Sequence, residues 1–138
     1  MSSIVRRSAR LVSPFLVTYG ASLMIHGHIG PGGGFQGGVI LAVSVILLMT
    51  SHGYHTVREK FKTKTVQILE SSSLALLILL ASAGAIGGSF FLNFLKGGEA
   101  GTLLSGGTVP LVNAIIGLEV GAAFTLLFYV VLRRVERD

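Results

Sequence analysis

Four apolar stretches of membrane-spanning length, divided by short segments that carry the charge, constrain this chain more than any other feature. The stretches lie at residues 11–25, 35–50, 66–95 and 110–132. A bilayer core about 30 Å thick is crossed by about 20 apolar residues in helical form. In lipid a lone segment must satisfy its own backbone, and only a helix does so. With their flanks the runs predict an all-α integral membrane protein, a single domain over residues 1–138 with four transmembrane helices at about 9–27, 34–52, 66–95 and 110–132. Only 12% of the residues are charged, against about 25% in a soluble domain, so a soluble bundle is disfavoured.

The first run follows Arg6, Arg7 and Arg10, the flank expected of a signal peptide. No small-residue cleavage pattern comes after it, so a retained helix is expected. The basic residues then fix the topology. Arg6, Arg7 and Arg10, then Arg58, Lys60, Lys62 and Lys64, then Arg133, Arg134 and Arg137 all fall on one side of a four-span arrangement. Lys96 alone falls on the other. Short loops rich in Lys and Arg stay in the cytoplasm. The N- and C-terminal segments and the 51–65 loop are therefore expected inside a cell membrane, with the 26–34 turn and the glycine-rich 96–108 loop outside. The net charge of +5 is thus a topology signal; no nucleic-acid module or basic patch with interleaved aromatics accompanies it. The lipid bilayer is the expected partner, and nucleic acid is not.

With no cysteine in the chain, disulfides, thiolate metal sites and thiol nucleophiles drop out. Glycine pairs four residues apart recur, at Gly33/Gly37, Gly34/Gly38, Gly84/Gly88 and Gly117/Gly121. Such pairs let helix backbones approach closely in lipid, which suggests a thin subunit packed on several sides. Gly32, Gly34 and Gly37 formally fit a dinucleotide fingerprint, but no strand precedes them and a membrane helix follows, so that reading fails. Physically, His28, Pro31, Gly32, Gly33, Gly34, Gly37 and Gly38 make a tight turn feeding a helix start. Gly33 or Gly34 is expected to need positive φ or close backbone approach, which a Cβ would block.

Glu119 is the sharpest candidate for chemistry. It lies near the middle of the fourth span, where a carboxylate costs about 2.5–3.5 kcal/mol on insertion scales. Nothing basic in the chain reaches that depth, so a proton, an ion, water or another subunit must answer it. A proton or cation relay and a protonated assembly contact are both open. Gly117 and Gly121 lie about 200° around the helix from it, so the acid and the close-packing face are nearly opposite. Glu70, about one turn into the third span, is either an interfacial carboxylate or the mouth of an ion pathway. His26 continues a stripe with Thr18 and Ser22; with His28 it could handle protons or merely bond exposed backbone of the glycine turn. Two histidines without a third ligand make a weak metal site, so no metal is expected.

The run HGHIGPGGGFQGG at residues 26–38 resembles the glycine-rich signature of the B subunit of Mrp-type (Mnh) multisubunit sodium/proton antiporters. Length, four spans and an acid in the last helix, here within GLEVG at 117–121, are also similar. The same family includes subunits of the membrane arms of archaeal hydrogenases and sulfur reductases, which are similar to the membrane part of respiratory complex I. The resemblance implies a small neighbour of large antiporter-like subunits in a complex that moves Na+ and H+, with no cofactor in this chain. It assigns no role to Glu119 or His26. The leading expectation is a transporter subunit that lines or supports an ion pathway; the rivals are a subunit of a redox-driven complex and a structural spacer. With no catalytic constellation in the chain, a free-standing enzyme is not expected.

Overall fold

The computed structural model describes residues 2–95, 97–99 and 101–135, leaving aside the side chains of Leu103 and Leu104. Among them five α-helices form: α1 (Ser3–His26), α2 (Gly34–His52), α3 (Tyr54–Lys60), α4 (Thr63–Ile86) and α5 (Val109–Val135), with a short 3-10 turn at Leu103–Gly106. No strand occurs among the described residues. The helices α1, α2, α4 and α5 are each long and apolar enough to cross a membrane. Ser2 caps α1 by accepting from the Val5 amide, one of the donors a helix start leaves open. Pro110 falls in the first turn of α5, where its missing N–H costs nothing.

The third span differs from its expected bounds. It starts at Thr63 and ends at Ile86 instead of running to residue 95. Phe90, Phe91, Leu92, Phe94 and Leu95 keep the sequence apolar, yet Gly87 and Gly88 turn the backbone: Gly88 has φ 101° and Phe91 φ 55°. Gly84 allows that turn, because a Cβ there would lie 2.6 Å from the amide nitrogens of Phe91 and Leu92. Hydropathy alone cannot distinguish a helix from an apolar turn folded back on its end. The basic 51–65 loop likewise holds the extra helix α3, whose Tyr54 and Val57 are buried.

Helices α1, α2 and α5 form one tight unit. α1 and α2 run antiparallel, with Gly20 against Gly37 near one end and Ser13 against Ser44 further along. α2 and α5 run parallel, with Gly34 against Asn113 and Gly38 against Gly117. A Cβ on Gly38 would lie 2.5 Å from the Gly117 carbonyl oxygen, and one on Gly37 would lie 2.5 Å from that of Gly20. Met24 of α1 is buried between Gly37 and Gly117, a flexible thioether filling the gap two glycines leave. Lipid supplies no hydrophobic drive for helices to meet, so this backbone-to-backbone fit is what holds them. Helix α4 packs against α5 and is otherwise largely exposed.

At the basic end a cluster of Met49, Tyr54, Val57, Val66, Ala122 and Tyr129 closes the bundle. Tyr129 donates its hydroxyl to the Phe61 carbonyl at 2.7 Å and meets the Tyr54 ring edge-on at 5.9 Å. Arg58 stacks over Tyr54 at 5.5 Å, a cation–π contact. The start of α1, the α3 segment and the end of α5 therefore share one end of the molecule. The 26–33 turn and the segment before α5 share the other. Arg137 and Lys96 lie outside the described residues.

Candidate functional site

Glu119 is the eleventh residue of α5, about 15 Å along a helix about 40 Å long. It is half-buried and makes no hydrogen bond or ion pair with any described residue. Gly117 and Gly121, on the far side of the helix, are buried against Met24 and Gly38. The acid therefore projects away from the glycine seam. Leu126, seven residues on and within about 20° of Glu119 around the helix, lines a small cavity with Tyr129, Val130 and Arg133 of α5 and Thr63 and Gln67 of α4. That puts Glu119 on the α5 stripe next to α4.

Glu70 is also half-buried and unpaired among the described residues. It lies one turn beyond Gln67 on α4, hence on the side of α4 near α5. The two acids share one helix pair, and no hydrogen bond or ion pair joins them to each other or to any described residue. Ser73, one turn from Glu70, is buried and spends its hydroxyl on the Leu69 carbonyl at 2.7 Å, so it is not a partner for either acid.

His26 and His28 lie at the opposite end of the molecule from Glu70. His26 closes α1, with its Nδ1 3.1 Å from the Ser22 carbonyl. A carbonyl only accepts, so Nδ1 carries the proton in that contact. His28 places Nε2 3.3 Å from the Thr102 carbonyl and packs its ring on Gly106, where a Cβ would lie 2.6 Å from Cδ2. Its Nδ1 is buried and without a hydrogen-bond partner among the described residues. His28 thus joins the 26–33 turn to the segment that leads into α5. No group of three His, Asp or Glu that could hold a metal stands together among the described residues.

Within the glycine stretch the roles divide. Gly34 takes the close approach, since a Cβ there would run into the Asn113 carbonyl. Gly33, its N-cap, has open space around it. Gly37 and Gly38 meet Gly20 and Gly117 respectively, and Gly32 lies over Leu23. Pro31 precedes them on the exposed turn. Of the four glycine pairs read from spacing, Gly34/Gly38 and Gly117/Gly121 pack against each other's helices. Gly84/Gly88 serves a turn instead.

Sequence reasoning missed Asn93. Its Oδ1 accepts from the Thr108 amide at 2.9 Å and the Thr108 hydroxyl at 3.1 Å, and its Nδ2 donates to the Gly106 carbonyl at 3.4 Å. One side chain therefore satisfies the start of α5 and ties it to the end of the α4 turn. The signal available was a lone Asn inside an apolar run, where an amide must find partners.

These features fit known proteins. Residues 4–126 match the family described as a domain related to the MnhB subunit of Na+/H+ antiporters. The chain is 31% identical over 129 residues to an uncharacterised protein of Methanocaldococcus jannaschii, covering 88% of this chain and 49% of that one. It is 30% identical over 94 residues to the B subunit of a Na+/H+ antiporter of Bacillus subtilis, covering 68% of this chain and 65% of that one. The chain thus spans about half of the first relative's length and just under two thirds of the second's. Among solved structures, a chain of the membrane-bound sulfane sulfur reductase, an archaeal respiratory membrane complex, superposes with a TM-score of 0.79 at 27% identity, over 95% of this chain and 58% of that one. With most of its length matched and the glycine stretch forming the core of its helix packing, the chain belongs to the MnhB-related family.

Proposed function

We propose that this chain is a small membrane subunit of a multisubunit sodium/proton antiporter, seated beside larger subunits and lining part of their cation or proton path. Family membership and the named antiporter subunit among its relatives support the setting. One observation carries the ion-path reading: Glu119 is an unpaired, half-buried carboxylate at mid-helix, turned away from the chain's own tight seam. An intramembrane acid faces a pathway or a partner because lipid penalises it. Glu70, on the same helix pair, gives that path an opening toward the basic end, and His26 and His28 stand at the other.

The test is proton-coupled sodium transport in vesicles, normalised to assembled complex. Glu119→Gln keeps shape and hydrogen bonding but loses ionisation, so assembly is retained and transport falls; Glu119→Asp keeps part of the activity. Wild-type transport by the Gln variant removes the relay and leaves a structural spacer with an assembly carboxyl.

A second reading is a subunit in the ion-pumping arm of a redox-driven complex, which the likeness to the sulfane sulfur reductase chain favours. Iron–sulfur proteins that co-purify with the native complex select it; their consistent lack selects the antiporter. In both readings the basic end is cytoplasmic. Cysteines introduced at Thr56 and Ser105 then label from opposite faces of sealed vesicles, and labelling from one face overturns the topology.

A further inference from the structure

At the basic end, two cavities lie side by side. One, of about 430 Å3, is lined by Arg10, Leu48, His52, Thr56, Lys60 and Phe61, among others. The second, of about 360 Å3, shares Leu48 and Phe61 and continues inward past Val17, Val45, Leu41 and Leu118. Together their linings run along α2 from His52 to Leu41, about 16 Å of helix rise. That is about half of a 30 Å hydrocarbon core, the depth of one leaflet.

The two ends of this stretch differ in chemistry. In the inner cleft the buried hydroxyls are already spent: Ser13 and Ser44 bond each other at 2.5 Å, and Thr125 donates to the Gly121 carbonyl at 2.7 Å. What remains for an occupant is apolar surface. At the outer end stand two cations, Arg10 and Lys60, neither paired with a carboxylate among the described residues. No carboxylate lines the outer cavity. Arg10 is held in place, with Nη2 3.0 Å from Nε2 of His52. Guanidinium can only donate, so Nε2 accepts, and Nδ1–H of His52 donates to the Ser51 hydroxyl at 2.8 Å. This chain of bonds orients Arg10 and leaves its other N–H groups for an anion, which a guanidinium grips through paired donors.

The geometry points to a binding site for one anionic membrane phospholipid: Arg10 and Lys60 hold its phosphate, His52 positions Arg10, and one apolar chain lies in the cleft along Val17, Leu41, Val45 and Leu118. Basic pockets between membrane helices at the cytoplasmic face suit such headgroups. A leaflet-deep apolar cleft beside the cations distinguishes this site from a surface that merely attracts anions.

The experiment uses the assembled complex carrying the full chain, in nanodiscs of phosphatidylcholine doped with phosphatidylglycerol that bears a photoactivatable acyl chain. Cross-links are expected on peptides containing Val17, Leu41 or Val45, with an excess of photoactivatable phosphatidylglycerol over photoactivatable phosphatidylcholine. The Arg10→Gln/Lys60→Gln variant reduces that preference by about ten- to thirty-fold, the range for two cations near a membrane surface. Val45→Trp, which fills the cleft, suppresses the cross-links independently; if it fails to assemble, the charge variant alone decides. Equal capture of the two lipids, a preference untouched by the charge variant, or cross-links only to a partner subunit at this cleft each overturn the site. Displacement by excess inorganic phosphate also overturns it, because a free anion then suffices.

Discussion

The α1–α2–α5 unit and helix α4 solve the same problem by opposite means. In the first, backbones touch through Gly20, Gly34, Gly37, Gly38 and Gly117, and Met24 fills what is left. In the second, α4 meets α5 through larger side chains and leaves Ile78 and Leu79 outward at 58% and 65% exposure. Of the most apolar window of each helix, 39% is buried for α2 and α5 and 11% for α4. Lipid is as apolar as leucine, so bulk hydrophobicity cannot bind helices together and close fit must. The seam is held by close fit, and α4 is left the most exposed of the four membrane-length helices. Both membrane acids, Glu119 and Glu70, lie on the α4–α5 side and not in the seam.

The largest effect is expected where the seam is tightest. Gly38→Val adds a Cβ that would lie 2.5 Å from the Gly117 carbonyl oxygen and 2.9 Å from the Val120 Cβ, with two methyl groups beyond it. Relief requires moving whole helices, at a cost of about 3 kcal/mol or more. The variant should lose at least about ten-fold in assembled complex, read as yield after mild-detergent purification. Gly30→Val, in the exposed turn before the seam, is the control: no neighbour lies near its Cβ, so most of the assembly should survive. Equal losses for the two would mean the glycine stretch matters as a turn and not as a seam.

That contrast also marks what the sequence could disclose. Span number and the clustering of charge followed from apolar length and spacing, because lipid imposes those directly. The pairing of Gly38 with Gly117 was half-legible: spacing showed that each belongs to a packing face, but not which faces meet. Gly20 was invisible, since it has no small neighbour four residues away. Helix α3 was hidden because Tyr54, Val57 and Phe61 recur at helical spacing amid basic residues that read as loop. Glu119 stood out by composition alone, yet its turn toward α4 emerged only once the opposite face was seen packed.

A middle-sized effect is expected at Asn93, which joins the α4 side to the α5 start. Asn93→Ala removes the acceptor for the amide and hydroxyl of Thr108, a residue 8% exposed. Leaving buried donors unmet costs about 1–3 kcal/mol. Faster hydrogen exchange is expected at Thr108 and through the first turn of α5, with α1–α2 protection unchanged. Asn93→Asp keeps the acceptor and should recover most of it. Loss of protection across α1 and α2 as well would show that the two regions are not separable.

The smallest effect on the fold, and the one that sharpens the comparison most, is expected on the outer face of α4. Ile78→Ala/Leu79→Ala shortens two exposed side chains without opening a cavity inside the chain. Alanine is the best helix former, and Ser82 still bonds the backbone carbonyl of residue 78 at 2.8 Å. The folded chain should change by less than about 0.5 kcal/mol, as surface substitutions do, with the protease resistance of the α1–α2–α5 unit unaltered. The yield of complex is the second reading of the same variant. If α4 faces lipid, alanine leaves assembly as it was, because lipid refills the space. If a neighbouring subunit lies on α4, the missing methyl groups leave gaps at a packed interface and complex yield drops while the chain itself stays folded. A fall in both readings together would contradict the division, since it would make α4 part of the chain's own core.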